Sequence, residues 1–82
     1  MSVKPIVFKK SPIDNSIEGV FLQWYSDEYN HGYGRVWSYN QSGLGEVDLK
    51  VVENWKDATS SEYAELKSEL EELGYILSIN LS

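Results

Sequence analysis

The sequence predicts an α+β fold: a small four- to five-stranded, mostly antiparallel sheet with one helix packed on one face, in the order β-β-β-β-α-β. Three observations carry this prediction. Strand-type patterning runs through residues 17–25 and, with clear alternation of Val47, Leu49 and Val51 against Glu46, Asp48 and Lys50, through residues 44–52. Tyr63, Leu66, Leu70 and Leu73 recur at helical spacing. Thr59 with Glu62 before that run, and Gly74 after it, mark where the helix starts and stops.

Residues 3–9 read as a first strand, with Pro5 placing it at a sheet edge because proline cannot donate a ladder hydrogen bond. Ser11-Pro12 and Asp14-Asn15-Ser16 punctuate its end. In the second strand, residues 17–25, Val20, Leu22 and Trp24 share one face, and Phe21 and Tyr25 lie on the other. After a polar connection over residues 26–32, residues 33–39 return as a third strand that points Tyr33, Arg35, Trp37 and Tyr39 the same way. Asn40-Gln41-Ser42-Gly43 is a hairpin turn. The fourth strand, residues 44–52, sets Val47, Leu49 and Val51 against Glu46, Asp48 and Lys50. A loop carrying Trp55 follows, its ring expected over the core edge. The helix then spans residues 60–73, and Tyr75, Leu77, Ile79 and Leu81 define a last strand. One helix covers one sheet face, so the other must curl, meet water or meet another molecule.

With 82 residues, 41% hydrophobic and 24% charged, the chain has the size and composition of a single folded domain, residues 1–82. A domain this small buries only about 60–65% of its unfolded surface, so its stability margin is slim and dimerisation would help it. Cysteine is absent, which excludes disulfides, thiolate metal sites and a cysteine nucleophile. No export signal is legible in residues 1–10, no stretch reaches the roughly 20 apolar residues of a membrane span, and a cytoplasmic location is expected.

The formal charge is −6 and is unevenly placed. Lys4, Lys9 and Lys10 lie near one end, whereas Glu62, Glu65, Glu69, Glu71 and Glu72 crowd the helix. Glu62, Glu65, Glu69 and Glu72 fall on one helical arc beside the apolar one. Like charges three and four residues apart cost an isolated helix about 0.2–0.5 kcal/mol per pair. A basic partner would relieve that repulsion and be steered by it; the plainer reading is a solvated face.

Seven aromatic residues, Phe21, Trp24, Tyr25, Tyr29, Tyr33, Trp37 and Tyr39, crowd into residues 21–39. Tyr33, Arg35, Trp37 and Tyr39 are of the types enriched at binding hot spots, and their plainer reading is core beneath the helix. A single-stranded RNA binder would also stack bases on such a face, but it needs Lys4, Lys9, Lys10 and Arg35 as a local basic patch, and a charge of −6 opposes it. Asp27, Glu28, Asn30 and His31 lack the spacing of a metal loop, and the paired glycines at 32 and 34 and at 43 and 45 lack the helix and lysine of a phosphate cradle. No metal, cofactor or catalytic residue is therefore assigned.

In size, charge and aromatic content the chain resembles small acidic inhibitors as a class, such as bacteriocin immunity proteins and phage-encoded antagonists of host factors. That resemblance implies a non-enzymatic protein-binding module, an inhibitor of immunity, antitoxin or phage type that occludes a basic partner such as a nuclease or toxin. The partner-binding residues expected are Tyr33, Arg35, Trp37, Tyr39, Glu62, Glu65, Glu69 and Glu72. The alternative is an assembly subunit, in the simplest case a homodimer, self-associating through the aromatic sheet face.

Overall fold

A computed structural model describes residues 3–26 and 34–79. Its α+β architecture is the expected one, a sheet with one main helix on one face. The elements are β1 (Val3–Lys10), β2 (Ile17–Tyr25), β3 (Arg35–Asn40), β4 (Gly43–Asp48), α1 (Leu49–Val52), β5 (Lys56–Asp57), α2 (Ser60–Glu72) and β6 (Ile76–Ile79). β4, β3, β2 and β1 form an antiparallel meander. The far side of β1 is shared: β6 runs parallel to its first half and β5 antiparallel to its last two residues.

β1 therefore lies inside the sheet, not at its edge as Pro5 suggested. Pro5 is opposite Ser78 of β6, and the partner pairs with β2 begin only at Ile6. The missing donor thus falls at the end of the β1–β2 ladder, where an interior strand tolerates it.

Strand alternation divides the apolar residues between two cores. Ile6, Phe8 and Phe21 pack with Ala58, Leu66 and Leu70 under α2, while Val7, Val20 and Val36 pack with Val52 on the opposite face. Gly19 sits opposite Phe8, and a β-carbon there would stand 3.0 Å from the Phe8 ring. The bare backbone lets Phe8 lie flat and stack on Tyr63, with ring centroids 4.4 Å apart.

The expected face of Trp24 is corrected by an irregularity in β2. The stretch from Val20 to Tyr25 is matched on β3 only by Ser38 to Val36, so β2 carries unpaired extra residues. Trp24 consequently joins Phe21 in the α2-side core, and Tyr25 joins Val20 and Leu22 on the other side. Trp24 meets Phe21 edge-on at 5.2 Å, and the Lys4 ammonium stands 4.5 Å over its ring.

The strand expected over residues 44–52 stops at Asp48. Its carboxylate accepts from the Lys50 backbone N–H at 3.0 Å, and the Leu49 N–H donates to the Gly34 carbonyl at 2.8 Å. This cap folds residues 49–52 into a helical turn, which buries Val52 and exposes Val51. The same turn, with Leu49 and the half-buried Trp55, covers the sheet face that one helix alone would have left open.

α2 begins at the predicted capping box. The Glu62 N–H donates to Thr59 Oγ1 at 3.4 Å, and the Thr59 N–H donates to Glu62 Oε1 at 2.9 Å. It ends at Gly74, whose φ of 100° suits the left-handed region. Leu66 and Leu70 are buried, but Leu73 is 63% exposed and does not belong to the core as its spacing suggested. Periodicity fixes the side of a helix, not how far the layer beneath extends.

Leu70→Ala should cost about 2–5 kcal/mol, because it empties a fully buried position. Leu73→Ala should stay within about 0.5 kcal/mol of the parent. Urea unfolding followed by tryptophan fluorescence tests the pair, and equal losses would contradict the packing described.

Candidate functional site

In an antiparallel meander the first and third connections lie at the same end of the sheet. Here they are the turn over residues 11–16 and the Gln41-Ser42 turn, and the first half of α2 lies beside them. Between the three runs a cleft of about 360 Å³, lined by Asp14, Asn40, Gln41, Ser42, Glu62 and Glu65 among others.

Each wall is held by local chemistry. In the first turn the Ser11 N–H donates to the Ser16 carbonyl at 2.8 Å, and the Asn15 N–H donates to the Ser11 carbonyl at 3.0 Å. Asn15 adopts a φ of 62°, a left-handed conformation that asparagine accepts better than most residues. Asp14 accepts from the Ser16 N–H at 3.0 Å and from its hydroxyl at 2.7 Å. These hydrogen bonds, side chain first and backbone second, lower the Asp14 carboxyl below its ordinary range.

The second turn is tied to the sheet. Asn40 Oδ1 accepts from the Ser42 N–H at 2.8 Å, while its Nδ2 donates to both Glu18 oxygens at 3.1 and 3.2 Å. The buried Ser38 hydroxyl donates to the same carboxylate at 2.9 Å. Glu18, itself only 9% exposed, thus fixes the hairpin tip from below.

On the helical wall, Lys10 reaches Glu62 at 2.7 Å. This lysine, followed by the Thr59 backbone and hydroxyl, brings the Glu62 carboxyl down to about 2 from 4.5. Glu65 is exposed, and its carboxylate makes no hydrogen bond or ion pair with the described residues. The cleft therefore presents three carboxylates, two of which are held ionised by hydrogen bonds.

The expected contact residues are distributed differently from their sequence pattern. Glu62 and Glu65 line the cleft, whereas Glu69 accepts from the Tyr39 hydroxyl at 3.2 Å and Glu72 is exposed further along α2. The ridge is thus split between internal and outward roles. Trp37 and Tyr39 lie partly buried against the α2-side core, with Trp37 5.9 Å from Trp24. Dehydration, then the Glu69 hydrogen bond and charge, raise the Tyr39 phenol above its ordinary range. Arg35 is exposed and pairs with Glu46 at 3.2 Å. Tyr33, like Asp27, Glu28, Asn30 and His31, lies outside the described residues.

Asp14, Asn40, Gln41 and Ser42 were legible only as turn formers. A usable signal existed, since meander parity places the two turns together, but only the sheet shows α2 beginning at that same end. Among the described residues no group of three or more His, Cys, Asp or Glu is arranged to hold a metal ion. No helix among them is long and apolar enough to cross a membrane.

The lowered Glu62 carboxyl sets a pH dependence. Its contribution to stability is fully present above 4.5, the ordinary value, and is lost as pH falls through about 2. Glu62→Gln should therefore flatten the acid limb of stability between those values, as read from thermal unfolding at a series of pH values. An acid limb identical in parent and variant would show that the Lys10 and Thr59 contacts are not formed in solution.

Comparison with protein-family models, with curated proteins and with solved structures finds no match to this chain, so the cleft is interpreted from its own geometry.

Proposed function

We propose that this chain is a small, acidic, non-enzymatic protein-binding module, an inhibitor or antagonist that occludes a basic partner such as a nuclease or toxin. The observation that carries the reading is the cleft between the two hairpin turns and α2, which Asp14 and Glu65 line beside the Lys10-paired Glu62, at the surface of a chain with a formal charge of −6. A lysine or arginine side chain of a partner fits such a wall, donating charge-assisted hydrogen bonds to Asp14, already fixed in position by Ser16, and to Glu65. Glu72 extends the acidic surface beyond the cleft and draws a basic partner toward it.

The carboxyl chemistry supports binding over catalysis. A general acid or base works best with a pKa near neutrality. Asp14 and Glu62 are both shifted the other way, so they remain anionic acceptors across the physiological range.

The other readings have less behind them. Lys9 and Lys10 are ion-paired with Asp57 and Glu62, and Arg35 with Glu46, so most of the basic patch required for single-stranded RNA is neutralised internally. Trp37 and Tyr39, the centre of the proposed self-association face, are committed in part to the α2-side core.

Glu65 and Glu72 are the two ridge positions with no intramolecular partner among the described residues. Replacing both with glutamine should leave the melting temperature within a few degrees of the parent. It should also slow association with a basic partner, identified by affinity capture and mass spectrometry, by about tenfold or more at low salt. Stopped-flow association at several ionic strengths provides the test. A variant that associates at the parental rate with the parental salt dependence would remove the electrostatic basis of the proposal.

A further inference from the structure

We draw no further inference here: the strongest candidate, the exposed apolar patch that Val3 and Ile76 form as register partners of β1 and β6, is unpartnered, and nothing in the structure shows what covers it.

Discussion

β1 is the strand on which the rest of the structure depends. It pairs with β2 on one side and with both β6 and β5 on the other, and its alternating side chains enter both cores. Ile6 and Phe8 face α2, and Val7 faces α1 and Trp55. Burying an apolar side chain of this size contributes roughly 1.5–3 kcal/mol, a large share of the stability of an 82-residue chain. A slip of one residue in β1 would exchange the two sets and empty both cores, so its register is strongly specified.

The polar residues that face the same strand explain how the functional surface is positioned. Lys9 is only 8% exposed and reaches Asp57 at 2.6 Å, which holds β5 against β1. Lys10, the next residue, points to the α2 side and engages Glu62. Two successive lysines thus fasten the segment before α2 and the first turn of α2 to one strand end, through opposite faces. The cleft follows from that fastening, since its helical wall is located by Lys10 and its hairpin wall by the buried Glu18 beneath Asn40.

The acidic helix combines two uses of the same residue type. Glu62 and Glu69 are spent internally, on the cap and Lys10 and on the Tyr39 hydroxyl, which offsets part of the repulsion among neighbouring carboxylates. Glu65 and Glu72 have no such role and give the surface its outward charge. The aromatic residues divide in a similar manner: Phe21, Trp24, Trp37 and Tyr75 form a connected group beneath the C-terminal half of α2, and rings that looked like an interface in the sequence complete a core. A helix of 13 residues leaves much of a sheet face to be covered by the large side chains of the sheet itself.

The sequence by itself determined the elements whose signals are local. The capping box at Thr59 and Glu62, the glycine stop at Gly74 and the hairpin at Asn40 all depend on hydrogen bonds or backbone angles within a few residues. The tertiary structure alone decided what depended on distant partners. Pro5 lies in an interior strand because β6 returns beside β1, and Trp24 changes face because β3 pairs with β2 out of step. The strand after Gly43 ends early because Asp48 caps a turn anchored on Gly34, and Leu73 stays exposed although its spacing matches that of Leu66 and Leu70. The acidic cleft belongs to the same group: its carboxylates come from Asp14 and from a helix more than forty residues later, and only the packing of α2 beside the hairpin tips brings them together. Periodicity tells which residues share a side of one element, whereas which elements become neighbours is set by long-range burial and pairing that no short window of sequence contains.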